Sequence, residues 1–162
     1  MRPVSHYVRV LAIDPSTKGF GFAVLEGGKR LVDWGVARVW AQSDNEFLAR
    51  VEFLLVRYKP AVVVLEDVKG GRRSARTIRR IDLVTQHANR SGWRLVQVPQ
   101  SALRARLRGA GSTKHEIATA IAGLFPELEP HVPRPRKPWM SEDERMNVFD
   151  AVALALAILP FP

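Results

Sequence analysis

The hydrophobic and polar positions change period along the chain, and the changes divide it into elements. Tyr7 to Ile13 is a strand-like apolar run that stops at the turn sequence Asp14-Pro15-Ser16-Thr17-Lys18-Gly19. Phe20 to Leu25 and Leu31 to Trp40 predict two further strands, joined by Glu26-Gly27-Gly28-Lys29-Arg30, whose glycines suit a hairpin turn with positive φ. Phe47, Leu48, Val51, Leu54, Leu55 and Tyr58 then recur at helical spacing behind the capping box Ser43-x-x-Glu46, and Lys59-Pro60 ends that helix. Ala61 to Leu65 is continuously apolar, the mark of a strand buried on both faces, and ends in Glu66-Asp67. A helix follows from Ser74 to Arg90 with Ile78, Ile81, Leu83 and Val84 inward, and then a strand from Trp93 to Val98. Two more helices are predicted. Thr113 to Phe125 is capped by Thr113-x-x-Glu116, with Ile117, Ile121, Leu124 and Phe125 on one face; Ser141 to Leu159 is capped by Ser141-x-x-Glu144 and stopped by Pro160. Pro126 to Pro138, with five prolines in thirteen residues, reads as a stiff extended connector.

Three antiparallel strands followed by strands alternating with helices predict an α/β fold. It is one mixed five-stranded sheet flanked by helices, in a single domain over residues 1–162. In such a sheet the first strand and the strand after the first helix commonly lie parallel side by side through a right-handed crossover. Asp14 and Glu66, at the carboxyl ends of those two strands, then emerge at the same edge, where open α/β sheets place their sites.

Composition narrows the chemistry. The 162 residues include no cysteine, which excludes a disulfide framework, a thiolate zinc site and a cysteine nucleophile. The longest apolar stretch, Ala151 to Leu159, is about half of what crosses a bilayer, and the first residues lack a signal-peptide apolar core, so the expectation is a soluble cytoplasmic protein with no membrane partner. Twenty-five Lys and Arg against 16 Asp and Glu leave a formal charge of +9, which points to a polyanion, nucleic acid foremost.

Within that basic chain the acids at the predicted sheet edge stand out. Each alone has an ordinary explanation: Asp14 as a turn former, Glu66 or Asp67 as a strand-end charge, Asp150 as a solvated helix residue. Three independent segments delivering acids to one edge is harder to explain that way. Side chains alternate along a strand, so only one of Glu66 and Asp67 can point to the site, and Glu66 is taken. Oxygen ligands without Cys or a nearby His select Mg²⁺ or Mn²⁺. On the last predicted helix Asp143, Asn147 and Asp150 stand at i, i+4 and i+7, on one face.

The positive charge is clustered too. Lys69, Arg72, Arg73, Arg76, Arg79 and Arg80 fall within twelve residues that contain no acid, entered through the flexible pair Gly70-Gly71, a pattern that predicts a phosphate-binding surface. Arg104, Arg106 and Arg108 form a second cluster, and Arg134, Arg136 and Lys137 a third. The turn Gly109-Ala110-Gly111-Ser112 before a helix is a candidate phosphate cradle, with Lys114 beside it.

Taken in order, these segments resemble the RuvC-type Holliday junction resolvases of the ribonuclease H-like superfamily. Leu11-Ala12-Ile13-Asp14-Pro15-Ser16-Thr17-Lys18-Gly19-Phe20-Gly21 is similar to the family's first-strand motif, Val63-Val64-Leu65-Glu66-Asp67-Val68 to its second, and Phe149-Asp150-Ala151-Val152-Ala153-Leu154-Ala155 to its closing acidic helix. The stretch from Val98-Pro99-Gln100 through Gly111-Ser112-Thr113-Lys114 is similar to its helix, glycine-rich turn and lysine. The resemblance implies a homodimeric crossover junction endodeoxyribonuclease, a hydrolase that nicks opposed strands of a four-way DNA junction with two Mg²⁺ ions per site, Mn²⁺ substituting, and no small-molecule cofactor. It implies Asp14, Glu66 and Asp150 as metal ligands and Lys114 near the scissile phosphate.

Two departures from the family pattern bear on function. Asn147 stands where the family usually has Asp or His, and Asp143 is a candidate for the missing carboxylate. The family's aromatic just past the second acid is absent from Val68-Lys69-Gly70-Gly71-Arg72, which leaves Trp139, Trp34 and Trp40 as possible substitutes. His6, His87, His115 and His131 need no catalytic role in metal-assisted hydrolysis. Competing readings are a YqgF-like or ribonuclease H-like nuclease for RNA or RNA–DNA hybrid, and a basic binding module whose Asn147 marks a decayed site.

Overall fold

A computed structural model of the chain describes residues 8–40, 43–69 and 73–159. His6, Tyr7, Gly70, Gly71, Arg72 and Pro160 lie outside the described residues. Strands β1 (Arg9–Pro15), β2 (Gly19–Glu26) and β3 (Arg30–Arg38) are followed by α1 (Asp44–Tyr58), β4 (Val62–Glu66), α2 (Ala75–Ser91), β5 (Leu95–Val98), α3 (Gln100–Leu107), α4 (Lys114–Leu124) and α5 (Met146–Ile158). The five strands form one mixed sheet in the order β3-β2-β1-β4-β5. β1, β2 and β3 are antiparallel, and β4 joins β1 and β5 in parallel, as the strand pattern predicts.

The sheet is covered on both faces, which explains the unbroken apolar runs of β1 and β4. Val10, Ala12, Val62 and Val64 enter a core with α3, α4 and α5, while Leu11, Ile13, Val63 and Leu65 enter a second core with α1 and α2. α5 is the inner helix: residues 151–156 are buried without interruption. Among the described residues no helix is long and apolar enough to cross a membrane.

Local chemistry sets most boundaries. Gly27 takes φ 59° in the β2–β3 turn, as its sequence suggests. Ser43 caps α1 by accepting the Glu46 N–H, and Lys59 closes that helix in the left-handed conformation with its N–H on the Leu55 carbonyl. At α4 the full capping box between Thr113 and Glu116 is formed.

Several boundaries differ from expectation. β1 runs on through Asp14 and Pro15, and β3 ends at Arg38, so Trp40 is outside it. α3 is a helix that periodicity does not reveal, because only Leu107 of it is buried. Pro126 to His131 is a 3-10 helix with Leu128 fully buried, and the extended connector begins only after it. Leu124 is exposed; Ala118, Ile121 and Ala122 make the buried face of α4 instead. On α2, Ile78 and Leu83 are half-buried and the inward positions are Thr77, Arg80, Ile81, Val84 and Ala88. α5 starts at Met146, and the Ser141 capping box does not form. Glu144 is drawn away by Arg38, which donates to it at 2.7 and 2.8 Å, while Asp143 accepts the Arg145 N–H at 2.9 Å.

Candidate active site

Strand parity decides where the acids point. Asp14 shares the parity of Val10 and Ala12, and Glu66 that of Val62 and Val64, so both face the α5 side of the sheet. Ala12 pairs with Val64, which puts Asp14 and Glu66 level two residues further along their parallel strands. Asp67 has the opposite parity, and its carboxylate accepts the Lys69 N–H at 3.0 Å.

The third acid arrives because α5 comes unusually near the sheet. Gly21 pairs with Asp14 across β2, and a Cβ at position 21 would lie 2.4 Å from the carbonyl carbon and oxygen of Asn147. Only glycine allows that approach. Asp14, Asn147 and Asp150 consequently border one cavity of about 400 Å³. Asp14, Glu66 and Asp150 also border a larger neighbouring cleft of about 810 Å³.

Asp14 and Glu66 are only 3% and 7% exposed, so their charges need compensation. Two cations supply it. The Arg73 guanidinium bonds Glu66 and lies 3.9 Å from the Asp14 carboxylate. Lys114 Nζ donates to Asp150 at 3.2 Å and to Glu142 at 2.8 Å. Burial pushes the Asp14 carboxyl well above the usual carboxylate range and the Asp150 charge adds to it, while Arg73 and Lys114 pull it back. Burial raises Asp150 as well, against the opposing pull of Lys114. Burial works against the charge of Arg73 and Lys114, yet the acids hold both above their ordinary values. With these cations standing among the acids, no group of three Asp, Glu or His side chains is gathered into a ready metal shell among the described residues.

No protein-family model matches the sequence, and no curated protein matches it. Solved structures do. A Thermus thermophilus RuvC structure is 24% identical, covering 92% of this chain and 92% of its own, with a TM-score of 0.66. T. thermophilus RuvC in complex with Holliday junction substrate is 22% identical, covering 92% and 91%, with a TM-score of 0.67. The chain has the RuvC fold. On this framework the cluster of Asp14, Glu66, Asp150 and Lys114 read from the sequence is assembled at one edge, with Asn147 beside it.

Elsewhere on the RuvC fold the structure sorts the expected residues differently. Asp143 precedes α5 and so is not on the helix face of Asn147 and Asp150, although it lines the same smaller cavity; both its oxygens accept from Arg145, at 2.6 to 3.2 Å, which lowers its pKa. The basic cluster of α2 is not one outward surface. Arg73 is turned into the acids, and Arg79 donates to Asp44 at 2.7 Å. Arg80 is fully buried over the Phe47 ring with its Nη1 on the Ser16 carbonyl at 2.7 Å. Arg76 is half-buried and Lys69 exposed. Arg106 caps the end of α5, donating to the Leu159 carbonyl at 2.7 Å. Arg104 and Arg108 line the larger cleft.

The glycine turn is not an open phosphate cradle. Glu116 Oε2 accepts from the Ser112 N–H at 2.7 Å, the Thr113 N–H at 3.1 Å and the Ser112 hydroxyl at 3.1 Å, filling the nest from within. The described histidines have partners elsewhere: His87 on Glu52, His115 on the Pro133 carbonyl, His131 edge-on to Trp34. The sequence reading missed Gly21 as the seat of α5, Arg73 as the inner cation and Glu142 as the second partner of Lys114. Only Gly21 carries a local signal, a glycine inside an apolar strand.

Proposed function

We infer that the protein is a divalent-metal-dependent nuclease of the RuvC type that cuts opposed strands of a four-way DNA junction. The observation that carries this reading is the convergence of Asp14, Glu66 and Asp150, from β1, β4 and α5, at one edge of a RuvC fold, beside a cleft lined by Arg104 and Arg108. The Holliday junction substrate in the T. thermophilus RuvC complex supports the choice of branched DNA.

The residues present fit hard cations. Their donors are all oxygen, and burial, which raises Asp14 and Asp150, disfavours their charged forms in a way that a bound cation would offset. Asp14, Glu66, Asp150 and the Asn147 amide oxygen would hold the ions, and Asp143, which lines the same smaller cavity, would join them only on leaving Arg145. When bound, two such ions activate a water and stabilise the leaving oxygen in an in-line displacement. The chain's own contribution is positioning and charge. Lys114, kept protonated by Asp150 and Glu142, offers a fixed positive charge to a phosphate at the cluster, and Arg104 and Arg108 hold neighbouring phosphates along the cleft.

A junction with two-fold symmetry asks for two sites related by a matching axis, so the working unit is a C2 homodimer. The test is a synthetic mobile four-way junction with labelled arms and Mg²⁺. Paired symmetric nicks support the reading, whereas nicking of RNA–DNA hybrids alone would replace it with the ribonuclease H-like alternative. Sedimentation showing an obligate monomer on the junction would remove the concerted double cut.

A further inference from the structure

A groove of about 630 Å³ runs between the start of α4 and the proline connector, lined among others by Lys114, Pro133, Arg134, Arg136 and Met140. Its acids are already matched: Glu142 by Lys114, Asp143 by Arg145, and Glu116 by the amides of its own helix cap. Arg134 and Arg136 have no carboxylate partner among the described residues, so the groove carries an excess of positive charge. At its edge Trp139 is 78% exposed and Met140 50% exposed. Tryptophan is among the most buried residue types on average, so an indole this open is unusual. One of its faces is backed by the Lys137 ammonium, 5.5 Å from the ring centre. Pro133, Pro135 and Pro138 hold the backbone between these side chains in few conformations, which lowers the entropy lost when something binds.

A planar ring flanked by cations on a stiff support is the combination that holds an unpaired nucleotide, with the base on the ring and its phosphates on the guanidinium groups. A paired base in a duplex hides both faces in the stack, whereas an unpaired nucleotide carries a ring and a phosphate in every repeat. The groove is also continuous with the acid cluster, because Lys114 lines it and bonds Asp150. We propose that the connector groove binds an unpaired stretch of a nucleic-acid strand leading away from the acid cluster, one base stacking on Trp139 and the phosphates lying on Arg134 and Arg136. The assignment of a strand to the acid cluster rests on the nuclease reading above; the groove adds preference for DNA with an unpaired segment.

The test measures binding of the full chain in EDTA to a labelled duplex with a single-stranded arm and to the same duplex without it, the arm carrying 2-aminopurine. Trp139→Ala is expected to weaken binding to the armed duplex about tenfold. It should leave the blunt duplex within twofold and remove the change in 2-aminopurine emission. Trp139→Phe should restore most of the affinity, and the double variant Arg134→Ala/Arg136→Ala should weaken the armed duplex selectively. Unchanged affinity of Trp139→Ala for the armed duplex, or an equal loss on both duplexes, would each overturn the proposal. Wild-type protein that binds neither DNA would overturn the nuclease reading itself, a result distinct from all of these.

Discussion

At the carboxyl edge of the sheet, the buried Asp14 and Glu66 and the half-buried Asp150 are set against Arg73 and Lys114. Further along the same cleft, Arg104 and Arg108 have no ion pair among the described residues. The two regions hold similar residue types with opposite obligations. In the first, each charge is fixed by another, so removing one changes the pKa and position of its neighbours. In the second the charges are held by no ion pair among the described residues and are available to a ligand. Chemistry and stability should therefore answer to the inner set, and affinity and salt dependence to the outer one.

The largest break in this comparison is Asp14→Asn, which should reduce Mg²⁺-dependent cleavage by about a thousandfold or more while junction binding survives. Retained cleavage would remove Asp14 from the inner set. The same variant tests the burial of charge. A carboxyl whose folded-state pKa is raised binds its proton more readily when folded, so stability falls as pH rises from the ordinary aspartate value towards the raised one. In metal-free urea melts Asp14→Asn should be more stable than the wild type at neutral pH, and the advantage should vanish below about pH 3.9.

Arg80→Ala should cost about 3 kcal/mol in the same melts, because it empties a buried site and frees the Ser16 carbonyl that follows Asp14. Arg80→Met should lose less, since Nε and Nη2 of Arg80 have no hydrogen-bond partner among the described residues to forfeit. Full stability with reduced DNA affinity would instead move Arg80 to the outer set. Arg73→Ala leaves Asp14 and Glu66 without their shared cation, so Mn²⁺ titrated by electron paramagnetic resonance should bind about tenfold more tightly without DNA present. Weaker Mn²⁺ binding would show that Arg73 organises the acids for the ion.

For the outer set, Arg104→Ala/Arg108→Ala should leave the melting curve in place and reduce the slope of log affinity against log salt by about two. An unchanged slope would take both residues off the phosphate path. The smallest effect is expected at Arg79, whose exposed pair with Asp44 should contribute no more than about 0.5 kcal/mol, with affinity unaltered within twofold.

What the chain reveals of itself before folding follows the reach of each interaction. The strands, the parallel pairing of β1 with β4 and the acids at their ends are legible because alternation and apolar runs are local patterns. The caps at Ser43 and Thr113 are legible for the same reason. The cap at Ser141 misleads because Glu144 finds a stronger partner in Arg38, far away in the chain. The α2 cluster reads as one basic surface because the acids that engage Arg73 and Arg79 come from β1, β4 and α1. Leu128 is hidden among prolines, and only the fold shows that it is core.

The seat of α5 on Gly21 bears on how such a protein changes over time. The spacing between Asp14 and Asp150 is set there by backbone resting on a residue without a side chain. Position 21 therefore has no latitude. A single methyl group there would lever the closing helix off the sheet and dismantle the site while leaving every charged residue in the sequence.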